Sequence, residues 1–237
     1  MNTAAHASHS TYQLDAEETQ LAEGVPTEFR FRITDPNGTP VTSFDEVHEK
    51  KVHLIVVRRD LTGYWHLHPT EGGDGTWSVQ LPGLEPGQYR VFADFSASEL
   101  GHGLTVGTDL TVVGDGVHRA LPAPAPTFVI GEYEVDLEGT LLPGQQSRLT
   151  FSLRHAGEPV TDLQPHLGSY GHLVAVRADD LAYVHVHPNG SPDDGVTPPG
   201  PQIAFHAHVA EAGAYRLFLD FRHDDRVRTA EFTLITN

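Results

Sequence analysis

The chain has 237 residues, and 15 Lys and Arg against 32 Asp and Glu give it a formal charge of −17, with its 16 histidines counted as neutral. Since domains commonly hold ~100–150 residues, this length predicts about two domains. The negative charge argues strongly against a nucleic-acid partner, because phosphate binding needs a basic face, and it disfavours anionic membrane surfaces.

Sulfur ligands are almost absent from the chain. It contains 0 cysteines and 1 methionine, which excludes disulfides, thiolate metal sites and thioether copper sites. Any metal ion must therefore be bound by imidazole, carboxylate, backbone or water. Such ligands suit Cu(II), Zn or Ni rather than a dedicated Cu(I) site. The sequence has no apolar run of about 18 residues, the length that predicts a membrane-spanning helix.

Two halves of the chain align with one another. The segment YQLDAEETQLAEGVPTEFRFRI from Tyr12 matches YEVDLEGTLLPGQQSRLTFSL from Tyr133, and PGQYRVFADF from Pro86 matches AGAYRLFLDF from Ala212. Apolar and polar residues alternate in these segments, as in strands with one buried face. The Gly-x-Tyr in the later segment is typical of the tyrosine corner of immunoglobulin-like sandwiches.

A third matching segment carries three histidines in each repeat. It reads HLIVVRRDLTGYWHLHP from His53 to Pro69 and HLVAVRADDLAYVHVHP from His172 to Pro188. In each copy a β-branched run, a polar break and a second run predict a β-hairpin. If the turn centres near Asp60 and Leu61, residues that face each other on the two strands have numbers that sum to about 121. In the second copy the corresponding sum is 359.

This register brings the histidines of each hairpin together. Residues two apart on a strand share a face, and directly opposed residues have Cβ atoms about 4.5–5.5 Å apart. Three imidazoles therefore converge within reach of one metal ion. The alternative is a buried histidine cluster that only hydrogen-bonds the sandwich together. The first triplet is His53, His66 and His68, and the second triplet is His172, His185 and His187.

Other polar residues are candidates near these triplets. His206 and His208 share a strand face and either add to the second site or form a separate exposed pair. Asp94 and Asp220 are candidate ligands or carboxylates that orient a ligand histidine; their alternative is solvation at a strand end. Two histidines shortly before the hairpins, His48 and His166, are extra ligands or residues of solvated loops.

Strand and turn signals predict an all-β fold with about seven short strands in each repeat. We expect two tandem immunoglobulin-like or cupredoxin-like β-sandwiches that arose from an internal duplication. The first sandwich spans 11–114 and the second spans 128–237. The alternating prolines of 115–127 predict an extended, semi-rigid linker between them.

The histidine hairpins and the ending AGAYRLFLDF resemble a group of exported bacterial proteins with immunoglobulin-like sandwiches, described as YtkA-like, CopC-like or heavy-metal-binding. The resemblance covers nearly the whole chain in both repeats. It implies a protein outside the cytoplasm (periplasmic, on the cell surface or secreted) that handles copper or a related metal, with a possible protein partner. Export requires a signal segment that MNTAAHASHSTYQL does not provide.

Three functions agree with these patterns. The first is a metal-binding protein that captures or buffers Cu(II) or Zn(II), or gives resistance to the metal. The second is a structural or adhesive tandem β-sandwich whose histidines belong to the core. The third is a copper or zinc enzyme of superoxide-dismutase-like type, since three histidines leave an open metal position. The sequence shows no nucleophile elbow or phosphate loop, and this favours a binding protein over an enzyme.

Overall fold

A computed structural model describes residues 11–184 and 186–236. The chain divides into two compact units, the first ending at His118 and the second beginning at Arg119, with Asp60–Thr62 grouped with the second. Secondary structure over the described residues consists of β-strands and turns. No helix in these ranges could cross a membrane. The predicted all-β class and the two tandem β-sandwiches are confirmed.

The described residues of the first unit form ten strands in two sheets. One sheet has the order β1-β3-β8-β7, and the other has the order β2-β10-β9-β5-β6, with β4 paired to β9. Their bounds are β1 Gln13–Ala16, β2 Gln20–Ala22, β3 Thr27–Thr34, β4 Phe44–Asp45, β5 Val52–Arg58, β6 Tyr64–Leu67, β7 Thr70–Glu71, β8 Thr76–Leu81, β9 Gly87–Ala97 and β10 Gly103–Val113.

The described part of the second unit repeats this plan with ten further strands. One sheet has the order β11-β12-β13-β18-β17, with β14 paired to β13, and the other has the order β16-β15-β19-β20. Their bounds are β11 Thr127–Ile130, β12 Tyr133–Glu138, β13 Gln146–His155, β14 Glu158–Pro159, β15 Gly171–Arg177, β16 Tyr183–Val184, β17 Val186–Pro188, β18 Gln202–His208, β19 Gly213–His223 and β20 Arg226–Thr236.

Each unit has its own apolar core between its two sheets. In the first unit Phe31, Leu54 and Val91 are fully buried in one cluster, and in the second Phe151 and Leu217 are buried in another. The alternation predicted from the sequence produces these cores, because every second residue of a strand faces the same side. The segment predicted as a linker, 115–127, contains no strand before Thr127.

A tyrosine corner closes each sandwich. The hydroxyl of Tyr89 donates a hydrogen bond to the carbonyl oxygen of Glu85 at 2.7 Å, and that of Tyr215 donates to Glu211 at 2.6 Å. Both tyrosines are buried. A buried hydroxyl needs such a partner, and the loop that enters the strand supplies it. This confirms the corner indicated by the Gly-x-Tyr pattern.

Candidate metal site

The hairpin of β5 and β6 places the first histidine triplet. Ile55 pairs with His66 and Val56 pairs with Trp65, so paired numbers sum to 121 and the predicted register is confirmed. The turn that sets it carries Leu61 at φ 57°, and the Asp60 carboxylate accepts a hydrogen bond from the Thr62 amide at 3.1 Å. A side chain that bonds its own turn in this way stabilises the reversal.

Alternation along the hairpin then separates apolar from histidine side chains. Leu54, Val56, Trp65 and Leu67 pack in or against the core. Residues between them face the opposite side of the sheet, and there the three histidines of the first triplet lie. The side chain of His53 is buried, with 6 % of the residue exposed. His66 and His68 are half-buried.

The three imidazoles are close together. One ligand atom from each of the three residues lies within 4.8 Å of the other two. The ring centroids are separated by 5.3 Å for His53 and His66, 5.2 Å for His53 and His68, and 4.8 Å for His66 and His68. Imidazoles that bind one tetrahedral Zn²⁺ have ring centroids about 5 Å apart, given Zn–N bonds of about 2.0–2.1 Å.

Two hydrogen bonds fix the orientation of His53. Its Nε2 lies 2.9 Å from the carbonyl oxygen of Val47, and its Nδ1 lies 3.1 Å from Nε2 of His66. A carbonyl accepts only from an N–H, so Nε2 carries the proton of the neutral ring. The Nδ1 lone pair therefore points at His66, which is the arrangement expected of a metal ligand held by a backbone carbonyl.

The turn before β5 positions the Val47 carbonyl that contacts His53. Val47 and Lys50 exchange backbone hydrogen bonds, and His48 and Glu49 between them have φ of 52° and 63°. Two left-handed residues in succession make a tight turn. The ring centroid of His48 lies 6.2 Å from that of His53. His48, predicted as an extra ligand or a loop residue, thus lies beside the triplet but outside the compact group.

Burial keeps His53 neutral. The pKa of His53 is lowered from 6.5 to about 4, mainly because burial desolvates the charged ring. The hydrogen bond to Val47 opposes this shift, and nearby charges on His66, His48 and Lys50 add to it. Only a neutral imidazole binds a metal ion. The ring is therefore in its ligating state throughout the neutral pH range.

The aspartate predicted to assist the site lies on the same face. Asp94 is the direct cross-strand partner of His53 on β9, and opposed residues share a face. Its Oδ1 accepts a hydrogen bond from the Thr105 hydroxyl at 3.0 Å. The second repeat has the same arrangement, with Asp220 opposite His172 and bonded to Thr229 at 2.6 Å.

The second triplet is arranged differently from the first. Nε2 of His172 lies 3.0 Å from the carbonyl oxygen of Leu167, and the His166 ring centroid lies 6.2 Å from that of His172, as at His53. Ala175 pairs with Val184, so the predicted sum of 359 holds at the start of the hairpin. His185 lies outside the described residues.

The prediction that His187 faces His172 across the hairpin is wrong. β16 ends at Val184, and the chain then crosses to the other sheet, where β17 pairs with β18 and His187 lies opposite His206. His187 and His208 are exposed, and His206 is half-buried. Among the described residues, no group of three close ligands includes His172, His187, His206 or His208.

With the geometry of both repeats established, the family of the chain can be stated. The family described as "Domain of unknown function (DUF8832)" matches 5–113 and again 128–237. The chain belongs to the DUF8832 family. It holds two DUF8832 copies, in agreement with the duplication read from the sequence. The expected kinship with YtkA-like and CopC-like proteins stays a prediction. No curated protein matches this DUF8832 chain.

Three solved structures with some likeness to the DUF8832 chain come from bacteria. FdeC, an Escherichia coli adhesin, is 16 % identical with a TM-score of 0.31, over 97 % of this chain and 65 % of that one. Escherichia coli alpha-2-macroglobulin is 11 % identical with a TM-score of 0.32, over 99 % and 16 %. InvD of Yersinia pseudotuberculosis is 15 % identical with a TM-score of 0.31, over 96 % and 58 %.

The DUF8832 chain thus spans less than two thirds of each of these three structures. A likeness at these TM-scores carries no information about function.

A further group of ligands in this DUF8832 chain was missed by the sequence analysis. His155, His223 and Asp224 lie within 4.8 Å of one another through one ligand atom each. His155 ends β13, whereas His223 ends β19 directly before Asp224. The one local signal is that His223 and Asp224 are consecutive, and nothing in the sequence shows that His155 lies beside them.

Proposed function

We propose that the protein binds one divalent transition-metal ion, Zn(II) or Cu(II), through His53, His66 and His68. The main support is the distance of 3.1 Å between Nδ1 of His53 and Nε2 of His66. Two nitrogens bound to one tetrahedral ion at about 2.0–2.1 Å are about 3.3 Å apart. The pair therefore needs almost no movement to exchange its shared proton for a metal ion.

The ligand set favours reversible capture over a structural role. Three protein ligands leave a fourth position open, whereas structural zinc sites are closed by four. The core lies on the other face of the β5–β6 hairpin, so folding of the sandwich does not depend on the ion. Capture, buffering or metal resistance outside the cytoplasm is the role that we infer, and the resemblance to YtkA-like and CopC-like proteins supports this location.

A structural or adhesive tandem β-sandwich is the second candidate. It is favoured by the duplication itself, because the second unit keeps the whole sandwich while its described histidines form no compact triplet. An apolar core holds each unit. In this account the buried His53 has a purely structural role, and the protein binds no metal ion in a fixed ratio.

Titration separates the two candidates. Chelator-stripped protein is titrated with Zn(II) and with Cu(II) by calorimetry, using wild type, His66→Ala and the control His102→Ala. His102 is an exposed histidine of the same unit outside the triplet. Loss of an outer-shell partner already weakens metal binding about 10–100-fold, so we expect His66→Ala to weaken the tight equivalent by more than about 100-fold. Equal affinities of the two variants would show that the triplet does not bind the ion, and the absence of any tight equivalent would support the structural candidate.

A further inference from the structure

A second group of ligating side chains lies at one end of the second unit, separate from the histidine triplets. β13 ends at His155, β19 ends at His223, and Asp224 begins the turn into β20. His155 and Asp224 line a surface pocket of about 740 Å³ that also includes Glu132 and Tyr133. The group thus opens to solvent on one side and is buried on the other, where His223 is 7 % exposed.

A carboxylate orients His223 within this group. Nε2 of His223 lies 3.0 Å from Oδ1 of Asp162. A carboxylate accepts hydrogen bonds, so Nε2 carries the ring proton and Nδ1 presents its lone pair towards Tyr133 and Asp224. Metal-binding histidines are commonly held in this way by a carboxylate on the other nitrogen. The Nδ1 atom here accepts a hydrogen bond from the Tyr133 hydroxyl at 2.7 Å.

The remaining distances fit an ion beside this nitrogen. Nδ1 of His223 lies 3.4 Å from Oδ2 of Asp224, and two ligands on one tetrahedral ion are about 3.3 Å apart for bonds of about 2.0–2.1 Å. The His155 and His223 ring centroids are 5.7 Å apart. His155 also stacks on the Tyr133 ring, with centroids 4.3 Å apart and an interplanar angle of 13°, which holds its ring at the pocket wall.

We propose that His155, His223 and Asp224 form a second binding site for a divalent transition-metal ion. Two imidazoles and one carboxylate are a ligand set that binds Zn(II) and other first-row divalent metal ions, and it leaves coordination positions on the ion open. On binding, the Tyr133 hydroxyl gives up its hydrogen bond to His223. Its single proton then turns to Oδ2 of Asp224, which lies 3.3 Å away. The Arg228 guanidinium, 4.2 Å from the centre of the Tyr133 ring, keeps the phenol in place.

This site belongs to the second repeat alone within the described residues. The tyrosine that aligns with Tyr133 is Tyr12, and its hydroxyl donates a hydrogen bond to the Glu99 carboxylate at 2.5 Å. Among the described residues of the first unit, no close group of His, Asp and Glu ligands includes Glu99. The proposed second site is therefore independent of the histidine triplets, and the two proposals can be tested separately.

The turn offers a matched pair of variants for the test. Asp224 and Asp225 have φ of 50° and 56°, a region that asparagine adopts readily. The carboxylate of Asp225 accepts hydrogen bonds from Gln164 and Arg222 instead of facing the group. Asp224→Asn therefore removes a ligand charge, and Asp225→Asn is the control for the backbone conformation of the turn.

The experiment uses the full chain with His66→Ala as background, stripped by chelator and titrated with Zn(II) by calorimetry. We expect one equivalent to bind, about 10-fold or more weaker after adding Asp224→Asn and unchanged after adding Asp225→Asn. In the His66→Ala protein, long-range ¹H–¹⁵N spectra should show zinc on Nδ1 of His223 and a retained proton on Nε2. Equal affinities of the two double variants, or a His223 spectrum that zinc does not change, would overturn the proposal.

Discussion

His53 and His66 share one proton across the first hairpin, with Nδ1 of His53 3.1 Å from Nε2 of His66. The pair is diagonal in the ladder, because His66 lies directly opposite Ile55. Since the Val47 carbonyl holds the other nitrogen of His53, the proton between the rings comes from His66. When a metal ion takes its place, this proton moves to Nδ1 of His66, so the ring stays neutral and both rings keep their orientation.

Stability of the metal-free first unit should depend on the protonation of His53. Its pKa is about 4 in the folded protein, against 6.5 for the unfolded chain. Between these values the unfolded chain takes up a proton that the folded protein does not, so stability falls as pH falls from about 6.5 to 4. A shift of this size corresponds to about 3 kcal/mol.

Denaturant unfolding at several pH values checks this. Tryptophan fluorescence reports the first unit, because both tryptophans, Trp65 and Trp77, lie there. We expect the free energy of unfolding to fall less between pH 6.5 and 4 in His53→Gln, which does not titrate. An identical fall in wild type and variant would show that His53 is not buried as a neutral ring.

Zinc should stabilise the first unit. An ion that binds only the folded state adds about 2.7 kcal/mol when its free concentration is 100 times its dissociation constant. We expect the tryptophan-detected unfolding transition to shift to higher denaturant with Zn(II) in wild type and His102→Ala but not in His66→Ala. A zinc-induced shift of the same size in His66→Ala would place the binding elsewhere.

The third histidine of each hairpin should contribute differently to metal binding. The His68 ring lies 5.2 Å from that of His53, whereas His187 is exposed and paired with His206 on the opposite sheet. We therefore expect His68→Ala to weaken the tight zinc equivalent by about 100-fold and His187→Ala to leave it unchanged. Calorimetry on the two variants measures this, and a greater loss in His187→Ala would contradict it.

The tyrosine corner should stabilise the first sandwich. Tyr89→Phe removes the hydroxyl that donates a hydrogen bond to the Glu85 carbonyl oxygen. We expect the free energy of unfolding to fall by about 1–2 kcal/mol. Tyr12→Phe is the control, because its hydroxyl bonds the exposed Glu99 carboxylate and such surface changes are usually within about 0.5 kcal/mol. Tryptophan-detected unfolding of the two variants compares them, and equal losses would argue against a special role of the corner.

Local patterns made the first hairpin predictable. The Asp60 turn set the register through a side-chain bond of local origin, and alternation then determined which side chains faced away from the core. Apolar alternation predicts the final strands only over 108–113 and 230–235, whereas β10 and β20 are Gly103–Val113 and Arg226–Thr236. Their first halves hold few apolar residues, and long ladders with β9 and β19 hold them in place.

The second repeat shows where local pattern was insufficient. HVHP and HLHP carry the same histidine spacing, yet β16 has two residues and β6 has four. The second strand of the hairpin is short because the residues that follow it, in β17, pair with β18. This pairing joins segments that are separated by a long loop. The group of His155, His223 and Asp224 was missed for the same reason, since separate strand ends meet there only in the folded unit.

A zinc-edge anomalous difference map tests the central claim most directly. Crystals are grown from chelator-stripped protein that has been given one equivalent of Zn(II). The account predicts a peak about 2.0–2.1 Å from Nδ1 of His53 and from Nε2 of His66, with His68 as the third ligand. A map in which the bound zinc lies elsewhere and the His53–His66 hydrogen bond remains intact would contradict it.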